Sequence, residues 1–432
     1  MKHKLKVLLI NPPSPFLENA LCEPPLGLLY IAGAVEQYCA SYVETTIVDL
    51  GDDDNYLASL TNILGPQRFD IVGITGVTPQ YPYMMRTAEV VRSFNPHTLI
   101  VMGGPHATWA PESLNGLADI IVKGEGERAF LDIITAYRGG NINVAALNES
   151  PCVLANRYDH PQMDFPAWYP ARQKIALKDY SRHVGGVHAT TMITSRGCPA
   201  ACRYCAKTWK KCKLYPAWYV IRELWDIKYI HGFNALLFVD DTFTYDPDRL
   251  NKICREIRSL EMVFRCWTRA DYVQEDTLKM MAASGCKEIS FGIESGSQKL
   301  LDAMNKGTTV EQNKNALKWA KAAGIKTKAF LMIGIPGETE ETVEETKRLI
   351  DETDPDEFIL STFTPIVGSY VWRHPEQFGI NNLSVISDYS HQWEVGKSAK
   401  GGVYIDTDLL SSQRLKDLHG DLLSYLRERK DG

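Results

Sequence analysis

Cys198, Cys202 and Cys205, in the run Ser195-Arg-Gly-Cys-Pro-Ala-Ala-Cys-Arg-Tyr-Cys205, place three soft thiolates on one short loop with the spacing C-x3-C-x2-C. A cubane [4Fe–4S] cluster normally takes four thiolates. Three from one loop leave one iron open to an outside ligand, and such a cluster can catalyse as well as carry electrons. A structural zinc loop is the alternative, but zinc knuckles pair C-x2-C with a second pair or with downstream histidines. Here the next cysteine is Cys212 and no second pair follows.

The cysteine loop, with the aromatic Tyr204 just before its last member, resembles that of the radical S-adenosylmethionine (SAM) superfamily. The resemblance implies that the open iron chelates the amino and carboxylate groups of SAM. One electron then cleaves the sulfonium to a 5′-deoxyadenosyl radical.

The elements that must position this loop follow from length and pattern. A chain of 432 residues exceeds one ordinary core and suggests two or three domains. Its net charge of −6 argues against a general nucleic-acid surface, and no apolar run reaches membrane-spanning length. Val7-Leu-Leu-Ile10 is too short for a signal segment and reads as a buried strand. Ten cysteines without a secretory signal point to a reducing, cytoplasmic compartment.

Residues 1–140 alternate strands (Val7–Ile10, Thr45–Val48, Ile71–Thr75, Leu99–Met102, Ile120–Val122) with helices at Leu28–Tyr38, Tyr83–Phe94 and Arg128–Tyr137. That alternation predicts an α/β, doubly wound, Rossmann-like parallel sheet with ligands beyond the strands' carboxyl ends. Gly124-Glu-Gly126-Glu-Arg-Ala129 mimics a dinucleotide fingerprint, but it follows the fifth strand and its two glutamates would repel a pyrophosphate.

This third is similar to the cobalamin-binding domain found in one branch of the superfamily. The features that carry the likeness are Asn11-Pro-Pro13, Pro24-Pro-Leu-Gly-Leu-Leu29, Gly73-Ile-Thr75 with Thr78-Pro-Gln80, Gly103-Gly-Pro-His106 and Gly124-Glu-Gly-Glu127. The resemblance implies cobalamin contacts from Asn11, Pro13, Leu26, Gly27, Thr75, Thr78, Gln80, Gly103, Gly104, His106, Gly124 and Glu125. The D-x-H-x-x-G motif that supplies a histidine to cobalt in many cobalamin proteins is absent. His106 is read as positioning backbone rather than ligating cobalt.

A Pro- and Asn-rich linker over 141–185 marks a boundary, and strand–helix alternation resumes over 186–364. Six strands (Thr190–Ile193, Ala235–Val239, Phe264–Thr268, Glu288–Gly292, Lys326–Ile333, Phe358–Thr362) predict a partial (β/α)6 barrel of TIM type. Its helices are expected at Val220–His231, Pro247–Leu260, Glu275–Ser284, Val310–Ala323 and Glu340–Glu352, and Cys254 and Cys286 both fall on helical patterns. The resemblance puts Tyr204, Asp240, Asp241, Arg269, Glu294, Ser295 and Pro336 around SAM. Asp240 and Asp241 would face its ammonium, and Glu294 its ribose. Arg269 either holds the SAM carboxylate or pairs with Asp271. Asp246 is expected to cap the helix that begins at Pro247, and Glu338 to favour its helix's positive end.

Lys207, Lys210, Lys211 and Lys213, with Trp209 and Tyr215, form a basic segment after the cysteines. Residues 365–432, with Trp372, Phe378, Tyr389, Trp393 and Tyr404, form a short cap ending in a helix near Ser411–Arg429. What the resemblance implies for the whole is a cobalamin-dependent radical SAM methyltransferase. Its expected cofactors are a [4Fe–4S] cluster, SAM and cobalamin. It would draw electrons from a flavodoxin or ferredoxin and act on a small-molecule or natural-product substrate. A cyclase or rearrangement enzyme with the same cofactors is the alternative, and a non-catalytic redox protein a more distant one.

Overall fold

The computed structural model describes residues 4–15, 17, 19–144, 152–154, 168–207, 211–380 and 405–431. The chain divides into two units, Met1–Ser181 and Arg182–Gly432.

In the first unit β1 (Leu5–Asn11), β2 (Val43–Asp49), β3 (Ile71–Thr75), β4 (Leu99–Gly103), β5 (Ile120–Val122) and β6 (Cys152–Leu154) form one sheet. Its order is β2-β1-β3-β4-β5-β6, all parallel. Strands covered on both faces carry unbroken apolar runs, because alternate side chains enter different cores. Val7, Leu9, Ile71, Val101 and Ile120 pack with the helices Leu26–Cys39 and Glu127–Arg138. Leu8, Ile10, Val72, Ile100 and Ile121 pack with Tyr56–Leu64 and Tyr81–Phe94. The winding reverses between β1 and β3, and in such sheets ligands sit at that switch. The helix Tyr56–Leu64 and β6 are elements that the sequence pattern did not reveal.

Residues 168–181, assigned to the linker from sequence, are sewn onto this unit. Ala171 N–H donates to the Leu29 carbonyl at 2.9 Å, and Ser181 N–H to the Leu21 carbonyl at 2.9 Å. The Tyr180 hydroxyl donates to Asp49 Oδ2 at 2.7 Å. Burial and the Asp49 charge push that phenol far above its ordinary range.

The second unit contains β7 (His183–Val184), β8 (Val187–Met192), β9 (Ser195–Arg196), β10 (Lys213–Leu214), β11 (Ala235–Phe238), β12 (Val263–Thr268), β13 (Cys286–Glu294), β14 (Lys326–Ile333) and β15 (Glu357–Thr362). Six of them run parallel in the order β15-β14-β13-β12-β11-β8, with β7 an antiparallel edge. This is the curled half-barrel the alternation predicts. β9 and β10 form a separate antiparallel ribbon framing the cysteine loop. Two expectations are corrected. The helix expected over Val220–His231 spans Ala217–Trp225 and finishes in a π-turn at Asp226–Ile230. Cys286 opens β13 rather than lying on a helix, because Gly285, at φ +100°, ends the preceding turn.

Of the cap, Trp372 and Phe378 pack against a core of Leu300, Met304, Ile335, Phe363 and Val371, with Tyr204 beside them. The final helix, Ser412–Asp431, buries Leu415, Leu418, Leu422 and Leu426 at helical spacing and lies along Glu340–Thr353. Tyr389, Trp393 and Tyr404 lie outside the described residues. No helix among the described residues is long and apolar enough to cross a membrane.

Candidate active site

The cysteine loop leaves β9 through Gly197, at φ +81°, and is then held by a turn roughly a hundred residues further on. Arg203 N–H donates to the Met304 carbonyl at 2.9 Å, and Asn305 Nδ2 to the Ala201 carbonyl at 2.9 Å. Lys207 Nζ reaches back to the Cys198 carbonyl at 3.1 Å. The thiols feel one another. The enclosing protein, Cys202, Asp241 and Cys198 together push the Cys205 thiol up to about 12. Cys212 also feels Cys198, and burial, Asp240 and Cys198 push its thiol up to about 11. Among the described residues no three His, Cys, Asp or Glu side chains converge to hold a single ion. A cubane asks for less convergence, because each thiolate ligates a different iron.

Beside this loop stands a charged group whose key member the sequence reading missed. Lys306, 4 % exposed, donates from Nζ to Glu294 Oε1 at 2.7 Å and to the Tyr204 hydroxyl at 3.2 Å. Tyr204 in turn donates to the same Glu294 oxygen at 3.1 Å. Glu294 is held at φ +63°, a conformation costly for a residue with a Cβ. Gly292 leaves room for this pair: a Cβ there would stand 2.8 Å from Glu294 Oε1 and 2.9 Å from Lys306 Nζ and would displace them. Glu294 Oε2 takes no bond from a described residue, so one carboxylate oxygen remains for a ligand. Lys306 lies twelve residues beyond Glu294, on a turn between Asn305 and Gly307, both of positive φ. That Asn-Lys-Gly turn was the only signal available.

Arg269 is committed to the protein. Its Nε and Nη2 donate to Asp271 at 2.9 and 2.8 Å, and Nη2 also to the Lys306 carbonyl at 2.7 Å. Nη1 points at Cys202 Sγ, 3.5 Å away. The fork that could have taken a SAM carboxylate is therefore turned onto Asp271.

Two other residues expected around SAM turn their polar groups into the protein. Asp240 is fully buried and accepts from Thr194 N–H, Thr194 Oγ1 and Ser195 Oγ. It locks the start of the cysteine loop and has no face for an ammonium. Ser295 is buried as well. Its hydroxyl accepts from Ser297 N–H at 3.1 Å and contacts Thr346 Oγ1 at 3.3 Å. Asp241, by contrast, is exposed. Pro336 is buried in a turn braced by Glu338, which accepts from Gly334 N–H at 2.7 Å and from Thr342 Oγ1 at 3.0 Å. Burial pushes the Glu338 carboxyl up to about 7. Asp246 does cap its helix, accepting from Arg249 N–H at 2.9 Å.

In the first unit, several residues expected to touch cobalamin tie its loops together at the switch point. Gln80 Nε2 donates to the Pro12 carbonyl and Ser14 Oγ, both at 2.8 Å, and its Oε1 accepts from Val77 N–H at 2.9 Å. This buried amide clamps the loops to one another. Asn11 donates to Asp49 Oδ1 at 2.7 Å. Gly104, at φ +89°, admits the Thr75–Gly76 segment, since a Cβ there would lie 2.6 Å from Thr75 Oγ1. Gly124 N–H donates to Thr108 Oγ1 at 3.0 Å. Glu125 is buried, while Pro13 and Gly103 line the carboxyl edge with Thr75 and Thr78. Gly27 is exposed beside Leu26, with nothing within 4 Å of where its Cβ would stand.

His106 is fully buried, its Nε2 2.9 Å from Ser113 Oγ and its Nδ1 3.4 Å from Thr78 Oγ1. Ser113 gives its own hydrogen to the Ala110 carbonyl, so Nε2 carries the ring proton. Burial drives the imidazole down to about 4. Between pH 6.5 and 4 the unfolded chain therefore binds a proton that the folded His106 refuses, and stability falls as pH drops. The gap corresponds to about 3 kcal/mol. Thermal unfolding followed from pH 7 to pH 4 should show His106→Asn losing less stability than the parent chain by about that amount.

The radical SAM superfamily profile matches residues 192–350, and the B12 binding domain profile residues 17–134. Over 396 residues the chain is 31% identical to an uncharacterized methyltransferase of Pyrococcus horikoshii, covering 86% of this chain and 83% of that protein. The chain belongs to the B12-binding radical SAM enzymes. It is also 29% identical over 360 residues to the anaerobic magnesium-protoporphyrin IX monomethyl ester cyclase of Cereibacter sphaeroides, covering 79% of this chain and 58% of that protein. Among solved structures it matches the radical S-adenosylmethionine methyltransferase TsrM from Kitasatospora setae, with a TM-score of 0.71. At 17% identity, over 98% of this chain and 89% of that one, the match shows a shared fold.

The cofactors of this B12-binding radical SAM enzyme are a [4Fe–4S] cluster, SAM and cobalamin. The residues present fit them. Three thiols on one loop, soft donors in mutual reach, suit the cluster. Glu294 Oε2, which takes no bond from a described residue, and the exposed Asp241 suit the hydroxyls and the ammonium of SAM. The switch-point loops, with open space above Gly27, suit a broad planar ligand.

Proposed function

We propose that this enzyme transfers a methyl group to an unactivated carbon or a phosphinate centre of a small molecule or natural product. The observation that carries the reading is the 31% identity, across both cofactor-binding profiles, to a protein named a methyltransferase. When bound, the cluster supplies the electron that opens the SAM sulfonium, and cobalamin supplies a transferable methyl group. The chain's own residues bind and orient. Cys198, Cys202 and Cys205 hold the cluster. Lys306 and Tyr204 fix the Glu294 carboxylate so that its second oxygen meets the ribose hydroxyls. Asp241 faces the ammonium. A reducing cytoplasm, with a flavodoxin or ferredoxin as donor, suits ten free thiols.

The cyclase likeness favours a second reading, in which the same cofactors close a ring without moving a methyl group. Product counting under anaerobic turnover separates the two. Methyl transfer yields S-adenosylhomocysteine together with 5′-deoxyadenosine and a substrate heavier by one methylene. Substrate-dependent 5′-deoxyadenosine without S-adenosylhomocysteine would replace the first reading with the second.

A further inference from the structure

We infer that Arg269 sets the reduction potential of the cluster by donating a charged hydrogen bond to the Cys202 thiolate. Three observations carry this. Nη1 lies 3.5 Å from Cys202 Sγ, within the range of an N–H···S contact. The guanidinium is 5 % exposed, so water screens its charge little. It is also held in place, because Asp271 grips Nε and Nη2 while the Lys306 carbonyl takes a second Nη2 hydrogen. Gly307, at φ +75°, forms the turn that presents the Lys306 carbonyl to Nη2. The Asp271 carboxylate, hydrogen-bonded to it, keeps the guanidinium charged against its burial.

The chemistry is one of charge balance. Reduction adds one electron to the cluster, taken from an external low-potential one-electron carrier, and that negative charge spreads onto the ligating sulfurs. A fixed cation at one thiolate stabilises the reduced form more than the oxidised form, so the potential rises. Asp271 opposes this by neutralising part of the same cation. Arg269 is thus a positioning and tuning residue, and Asp271 the counterweight. The inference rests on the three-thiol cluster assignment made above.

The test is a redox titration of anaerobically reconstituted protein, followed by the electron paramagnetic resonance signal of the reduced cluster. Arg269→Gln should make the cluster at least tenfold harder to reduce, a fall of about 59 mV for a one-electron couple. Arg269→Lys should recover part of the loss. Asp271→Asn, which keeps the arginine and relieves its counter-charge, should shift the potential upward. An unchanged potential in Arg269→Gln, or a downward shift in Asp271→Asn, overturns the inference. If Arg269→Gln assembles no cluster, the direction of the Asp271→Asn shift decides. Parent protein that takes up no [4Fe–4S] cluster at all would instead sink the functional reading.

Discussion

Lys306→Met should destabilise the second unit by about 3–5 kcal/mol, as expected when one partner of a buried ion pair is removed. The lysine and Glu294 side chains are only 5 % and 13 % exposed, and they meet at 2.7 Å. Without the ammonium, Glu294 keeps only the Tyr204 hydroxyl, at 3.1 Å, to offset its desolvation. Adding Glu294→Gln to the variant removes the orphaned charge and should restore a large part of the lost stability. Urea unfolding of the two single variants and the double variant gives the coupling energy directly. Values that simply add would show that the pair does not act as a unit. SAM affinity provides a second readout, which both single variants should lower by removing or misplacing the carboxylate.

Gly33→Ala should cost the first unit about 3 kcal/mol or more, a drop of roughly 6–12 °C in its melting temperature. A Cβ at position 33 would stand 1.8 Å from the Tyr169 carbonyl oxygen and 2.9 Å from its carbon. Both are backbone atoms, and the strand of chain they belong to is tied down by the bond from Ala171 to Leu29. No side-chain rotation relieves the overlap, so residues 168–181 must lift or the helix must shift. Gly27→Ala, on the first turn of the same helix with open space around it, is the control for propensity and should be neutral or slightly stabilising in calorimetry. Equal melting temperatures for the two variants would mean that the 168–181 segment does not press on the helix.

Much of the fold could be read in the sequence because parallel strands covered on both faces announce themselves. Val7–Ile10, Leu99–Met102 and Ile120–Val122 are continuous apolar runs, and the strands formed there. The cysteine loop was legible for a different reason: thiolate spacing is itself the chemistry. What could not be read was the direction in which polar side chains at strand ends turn. Asp240 and Asp241 are adjacent in sequence, yet one is sealed against Thr194 and Ser195 while the other is exposed. Gln80 and Ser295 illustrate the same point, since both belong to ligand-edge loops and both spend hydrogen bonds inward. Lys306 was invisible because its partner lies across a short helix and a tight turn, where no periodicity links them.

The anchoring of Ala201 and Arg203 on Met304 and Asn305 carries a consequence for biogenesis. A nascent chain that has just emitted its three cysteines has nothing yet to brace them, because the bracing turn is made about a hundred residues later. Loop-closure entropy over such a span is repaid only once β13 has docked on β12. Iron and sulfide delivered before that moment would meet a floppy peptide, and after it a preorganised cage. Metal loading should therefore be a finishing step, following the closure of the barrel rather than accompanying the growing polypeptide.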